Sequence, residues 1–379
     1  MNWRNKFSQF FILVIASVLL FSCTSGAKLS KKPQDVSADS WQQLKLNLES
    51  GKAIPKAESL QIRKFNSFYQ NRWIGQAVSY GCYRQGQAPW GPGPSPKQIA
   101  EDLDIISEYW HLLRVYNADS DTERILEVIK TEKYPIKMLL GVWLETEDNK
   151  PEAKDNNIKN VKKCLELIEK YPDIIIAVNV GNETQVSWSA HKMTQKNLVN
   201  YIRAVRNNTS LPVTTADDYS FWIKPQSKKL ADEVDFIVSH MHPVWNGKEL
   251  ADAVSWLEKK YQEVRSIHPE TEVVIGETGW ATRYNAQKKG AGQQGTLVKG
   301  DVSLTAQGKF LKMLDSWVNT NKVTTFLFEA FDEPWKGGGE NTPTYEIEKN
   351  WGVFYENRTP KPSFLNYSEK LINKQDKNK

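Results

Sequence analysis

Two acids stand where apolar runs end. In "AVNVGNETQ", Ala177 to Gln185, the run from Ile174 to Val180 passes a glycine and stops on Asn182 and Glu183, an amide beside an acid. Even a neutral polar group buried without a partner costs roughly 2–7 kcal/mol, so an acid in such a place is paired or used. The pattern recurs 94 residues later, where "GETGW" closes another apolar run on Glu277. Two carboxylates across a cleft can break a glycosidic bond. One gives a proton to the leaving oxygen, and the other attacks the anomeric carbon or activates water. The charge of one raises the pKa of its neighbour and separates the roles. Glu183 is assigned as acid/base and Glu277 as nucleophile, with the Asn182 amide offered to the sugar 2-hydroxyl.

The elements that must position them follow from periodicity. Eight apolar runs, at 74–81, 112–119, 136–143, 174–183, 211–218, 235–243, 272–280 and 324–335, alternate with segments of helical spacing. "SPKQIAEDLDIISEYW" opens with Ser95 as N-cap and Pro96 at the first helical position. "DTERILEVIK", "NIKNVKKCLELIEK", "TQKNLVNYIRAVRN", "KELADAVSWLEKKYQEVRS" and "SLTAQGKFLKMLDSWVN" carry apolar residues at helical spacing, and a last helix follows Lys361. "KPQSKKLADEV", after the fifth run, is only weakly helical. The expected fold is α/β, a single (β/α)8 TIM barrel, whose active site lies at the strand C-terminal ends. Ninety-four residues is three βα units at roughly 30 residues each, so the acids end strands four and seven and face one another across the barrel mouth.

The formal charge of +5 over 379 residues is small, and no Lys/Arg block is interleaved with aromatics, which excludes a nucleic-acid groove. At the N-terminus, Arg4 and Lys6 precede an apolar run from Phe7 to Phe21, roughly 22 Å of helix and short of the ~30 Å needed to span a bilayer. The run ends in "LLFSC", which resembles the lipobox of bacterial lipoproteins. That resemblance implies acylation of Cys23, export and a lipid anchor in the bacterial outer membrane. Ordinary signal cleavage near Ser22 is the alternative. The basic "TSGAKLSKK" that follows leaves open which face of the membrane carries the protein. Residues 1–22 are then a signal peptide, 23–64 a tether and lead-in, and 65–379 the barrel. With Cys23 modified, Cys82 and Cys164 are expected to be free, buried thiols.

"VGNE", "IGETGW", "FEAFDEPWK" and "EKNWGVF" closely resemble the motifs of glycoside hydrolase family 17, the endo-β-1,3-glucanases and related glucan-remodelling enzymes. The resemblance runs from about Ser79 to Phe354. It implies a (β/α)8 barrel, a retaining mechanism on β-1,3-glucan without a cofactor, and catalysis by Glu183 and Glu277. Glu333, Lys336 and Glu348 match charged positions placed around the nucleophile, where a cation would hold Glu277 ionised. Arg114 occupies the place of an arginine that orients the nucleophile in related barrels, although a structural ion pair is an equal reading. Glu329 alternates with Ala330 and Phe331 and faces either a sugar or a buried partner. A β-1,3-glucanosyltransferase would use the same two glutamates. A catalytically inactive, lipid-anchored glycan-binding protein is the reading from another class.

"SHMHP" offers competing chemistry, because His240 and His242 share a strand face and His-x-His can ligate zinc. No third ligand is evident, and no metal is expected. The resemblance instead puts His242 beside the nucleophile or a glucose hydroxyl, where many relatives carry Tyr. Trp143, Trp245, Trp280 and Trp335 stand at or just beyond strand ends and are the candidate sugar platforms, with Tyr116, Trp188 and Trp222 as weaker ones.

Overall fold

The computed structural model describes residues 38–56, 61–148, 150–289 and 293–365. A two-stranded hairpin, β1 (Phe68–Tyr69) and β2 (Arg72–Trp73), leads into eight parallel strands. These are β3 (Gln76–Ser79), β4 (Leu112–Arg114), β5 (Lys137–Val142), β6 (Ile175–Asn182), β7 (Val213–Asp218), β8 (Ile237–His240), β9 (Val273–Thr278) and β10 (Thr325–Leu327). β10 pairs with both β9 and β3, so the sheet closes into a barrel in sequence order. All eight apolar runs contain a strand, each shorter than its run; in all but β7 the last residues of the run leave the ladder at the barrel mouth, whereas β7 keeps Asp217 and Asp218 paired to its end.

The helices start where their caps dictate. α2 (Pro96–Ser107) carries a complete capping box, with the Ser95 side chain on the Gln98 N–H and the Gln98 side chain on the Ser95 N–H. Asp119 caps α3 (Ser120–Glu132), Thr194 caps α5 (Gln195–Arg206) and Ser303 caps α10 (Leu304–Asn321). α4 (Pro151–Lys170) begins earlier than its apolar pattern, since Pro151 is suited to the first helical turn. α8 (Ala253–Ile267) follows β8, and the one-turn α9 (Gln294–Leu297) lies between β9 and α10. The weakly helical stretch after β7 holds only the short helices α6 (Tyr219–Trp222) and α7 (Ser227–Ala231). After Lys361 one turn, 362–365, is described.

Part of the lead-in is docked rather than loose. α1 (Ala38–Glu49) places Leu44 and Leu48 in the core, and Ile54 follows them, with its backbone N–H on Asn200 Oδ1 at 3.1 Å. The amphipathic patch from Trp41 to Leu48 is the reason: it buries its apolar side against the outer helices instead of water. Phe65 stacks on Phe236 with ring centroids 4.6 Å apart, inside the same apolar cluster as Ala77, Leu112, Leu139, Ala177, Val274 and Phe326. That cluster fills the barrel interior at its N-terminal end, as the fold requires. Cys82 and Cys164 are free and buried. Cys23 and the segment before it lie outside the described residues. Among those described, no helix is long and apolar enough to cross a membrane.

Candidate active site

Side chains alternate along a strand, so the residue two positions beyond an inward apolar residue points inward again. Two beyond Leu112 is Arg114, two beyond Val238 is His240, and both are fully buried. Two beyond Val274 is Gly276, where a Cβ would collide with Val238 and approach His240 Cδ2 to 3.0 Å. Glycine there lets the β8 and β9 side chains meet. The register shifts between Ser239 and His240, which brings His240 opposite Glu277. A second irregularity lies between Asn179 and Asn182, where Gly181 at φ 81° takes a left-handed conformation. Glu183 follows at φ 50°, turned out of the strand with its N–H held by Ala216 O at 2.9 Å.

Glu277 is 6% exposed and surrounded by donors. Arg114 Nη1 donates to Oε1 at 2.6 Å and Tyr116 OH to the same oxygen at 3.0 Å, while His242 Nε2 lies 3.2 Å from Oε2. Burial by itself would raise this carboxyl's pKa. The neighbouring His240 and Arg114 and the hydrogen bond to His242 outweigh it and hold the group well below the ordinary carboxylate range. Arg114 also donates to Gly276 O at 3.0 Å and, through Nη2, to Asn182 Oδ1 at 2.6 Å. One guanidinium thus fixes the amide beside one glutamate and the carboxylate of the other. Burial raises the Tyr116 hydroxyl far above its usual value, and the charge of Glu277 adds to it, so the phenol stays a donor.

His240 touches both acids. Its Nδ1 is 3.1 Å from Glu183 Oε1 and its Nε2 is 3.5 Å from Glu277 Oε1. With Nδ1–H donating, Oε1 of Glu183 accepts and any proton on that carboxyl sits on Oε2, on a side chain still 30% exposed to the cleft. Each ring of the His-x-His pair is therefore spent on a glutamate. Burial lowers the pKa of His242, but its hydrogen bond to Glu277 and the charges of Glu277, Glu183 and Glu348 raise it further than burial lowers it.

Lys336 does not reach Glu277 as a hydrogen-bond or ion-pair partner. It binds Glu329 at 2.9 and 2.7 Å and Glu333 Oε2 at 2.6 Å. Burial pushes Glu329 well above the usual range, against the pull of Lys336 and with the push of Glu333. Glu333 is raised by burial too, but Lys336, the hydrogen bond from Glu329 and the Trp335 N–H at 2.9 Å bring it below its usual value. Glu329 is fully enclosed, so of its two expected settings it takes the buried one and offers nothing to a sugar. Glu348 is half-buried near the cleft. Burial and the charges of Glu183 and Glu277 raise its carboxyl, while Lys336 and His242 lower it.

The tryptophans divide. Trp280, expected as a platform, is 1% exposed, its N–H on Asp301 O at 2.9 Å and its ring against Phe310. Trp222 is likewise buried, bonded to Val238 O at 3.1 Å. Both follow their strands closely enough to fold back under the helices. Trp143, Trp245, Trp335 and Tyr116 are half-buried, and Trp188 is 62% exposed on the loop after Glu183. The sequence reasoning missed Trp90, which meets Trp335 edge to face with centroids 5.3 Å apart. Its place in the loop after the first barrel strand was the available signal. The bridging position of His240 was hidden behind its metal-like spacing.

Arg114→Met is expected to move the acid limb of the kcat/KM profile up by about one pH unit or more, because an adjacent arginine lowers a carboxyl by about 1–3 units. Arg114→Lys keeps the charge but not the fork and should shift it less. Profiles measured on one soluble substrate check the order.

The fold and this arrangement define a (β/α)8 barrel whose strand ends carry a shielded, ionised carboxylate and a cleft-facing one, within an aromatic-rimmed groove. The chain belongs to the BtgE/BtgC glycoside hydrolase domain family, which matches residues 77–352. It is similar to the btgC protein of Aspergillus niger, 30% identical over 300 residues covering 72% of this chain and 42% of that protein. The glucan endo-1,3-beta-glucosidase btgC of Emericella nidulans is 27% identical over 305 residues, 72% of this chain and 44% of that one. The chain thus spans less than half the length of these relatives. Among solved structures, the endo-laminarinase from Formosa Hel1_33_131 aligns with a TM-score of 0.68 at 23% identity, over 79% of this chain and 88% of that one, a likeness of fold.

Proposed function

We propose that this protein is a retaining hydrolase of β-1,3-glucosidic bonds in laminarin-like glucan, acting within the chain and placed with family 17. The observation that carries it is the pair Glu183 and Glu277, both in contact with one buried imidazole, with the Arg114 guanidinium paired to Glu277. Glu277 attacks the anomeric carbon as Glu183 gives its proton to the departing glycosidic oxygen. Glu183, now a carboxylate, takes a proton from the water that opens the glycosyl ester and frees Glu277. Asn182, steadied by Arg114, keeps its amide N–H groups for the sugar. The substrate follows from the family and the relatives' names. Export and a lipid anchor through Cys23 belong to the same proposal, supported by the basic and apolar pattern of residues 1–23.

The test is digestion of laminarin, barley mixed-linkage glucan, cellulose and xylan, followed by reducing-sugar assay and chromatography. Short laminari-oligosaccharides from laminarin are expected. No release from any of the four by folded protein would sink the proposal and leave the glycan-binding reading. A second reading, β-1,3-glucanosyl transfer, is favoured by exposed Trp188 on the loop following the acid, where an acceptor sugar would enter. Products longer than the substrate at high oligosaccharide concentration would decide for it.

A further inference from the structure

The loop after β3 and the loop after β10 meet above the barrel, on strands that are neighbours in the ring. Between them lies a cavity of about 430 Å³ lined by Trp90, Trp335, Lys336, Glu348 and the glycines at 337–339. That volume suits a small organic ligand. Trp90 is 75% exposed among the described residues and stands at 88° to Trp335. Trp335 is held in place by its N–H bond to Glu333. Gly337, Gly338 and Gly339, at φ 67°, 104° and 90°, leave the third wall free of side chains.

An aromatic corner with hydroxyl-binding groups at its edge fits a ring with apolar C–H faces and a polar rim. Lys336, the one cation in the lining, is already occupied by Glu329 and Glu333, which disfavours a phosphate or other anion. Glu348, in the cavity wall, stands close enough to Glu183 and Glu277 for their charges to act on its carboxyl, so the cavity adjoins the catalytic pair. Its side is fixed by ring order. β6, which bears Glu183, lies nearly opposite the β10–β3 junction, whereas β9, which bears Glu277, adjoins β10. The leaving group departs on the side of the acid, so the cavity is on the side of the sugar that stays with the nucleophile. We infer that Trp90 and Trp335 form a glycone-side subsite for a neutral glucosyl unit upstream of the bond being cut. The ligand class rests on the function proposed above.

The test compares wild type with Trp90→Ala on laminaritriose and laminarihexaose. The ratio of kcat/KM on the hexaose to that on the triose is expected to fall about tenfold, the size of one well-placed aromatic contact. Trp90→Phe should recover most of it. In a second arm, calorimetry on Glu277→Gln protein should show laminarihexaose binding weakened about tenfold by Trp90→Ala. If wild type cleaves laminarin and the ratio is unchanged, the subsite falls and the functional proposal stands. If wild type leaves laminarin intact, the functional proposal falls, and laminarihexaose binding that is absent or indifferent to Trp90 overturns the subsite as well.

Discussion

Glu277→Gln is expected to lower kcat on laminarin by about 10⁴-fold or more, equivalent to about 5.5 kcal/mol of transition-state stabilisation. Glutamine keeps the shape and loses the anion, and every group around Glu277 is arranged for that anion: Arg114 at 2.6 Å, Tyr116 at 3.0 Å and His242 at 3.2 Å. The same arrangement links activity to stability. The carboxyl is held below its unfolded value, so its ionisation contributes stability that is fully present above about pH 4.3 and lost as pH falls through the folded value. The substitution removes that contribution and leaves Arg114, 1% exposed, facing no carboxylate. A loss of about 3 kcal/mol at neutral pH is expected. Activity should therefore be compared well below the variant's Tm, with circular dichroism as the control. Glu277→Ala opens space for azide, which on an activated β-glucoside would attack from the nucleophile's side and give the α-glucosyl azide. Full activity in the glutamine variant would remove Glu277 from the mechanism.

Glu183→Ala is expected to lower kcat on laminarin by about 10²–10⁴-fold, the usual contribution of a positioned general acid. Aryl glucosides whose leaving group needs no proton should lose far less in the first step. The contrast with Glu277 follows from exposure and partners. Glu183 is held by one imidazole nitrogen and is 30% exposed, so its removal leaves one buried His240 N–H without its acceptor, a cost of about 1–3 kcal/mol, and should lower Tm less than Glu277→Gln does. Azide would here attack a glycosyl-enzyme already formed on Glu277, from the opposite face, and give the β-glucosyl azide. The anomer therefore reports which glutamate was removed. The same azide anomer from both alanine variants would refute the division of roles.

Much of this protein is legible locally. A strand needs a short apolar run and a helix needs an apolar stripe and a cap, and these signals sit within a few residues of one another. Hence all eight barrel strands and the six well-patterned helices are found, and Glu183 and Glu277 stand where strands four and seven of the barrel end. The docking of α1 is less legible, since its amphipathic stripe is weak and its partners, α4 and α5, begin about 100 and 150 residues later.

What the chain by itself determined is the order of strands and helices and the placing of an acid at each of two strand ends, because those depend on neighbours in sequence. What only closure of the barrel decided is which charge serves which acid. Arg114 and Glu277 are 163 residues apart in the chain and 2.6 Å apart in the fold, while Lys336 is taken by Glu329, seven residues away. Closure also decided which indoles stay open. Trp280 turns under α10, whereas Trp90 and Trp335, 245 residues apart, meet at the rim because β3 and β10 are the two strands whose pairing seals the ring.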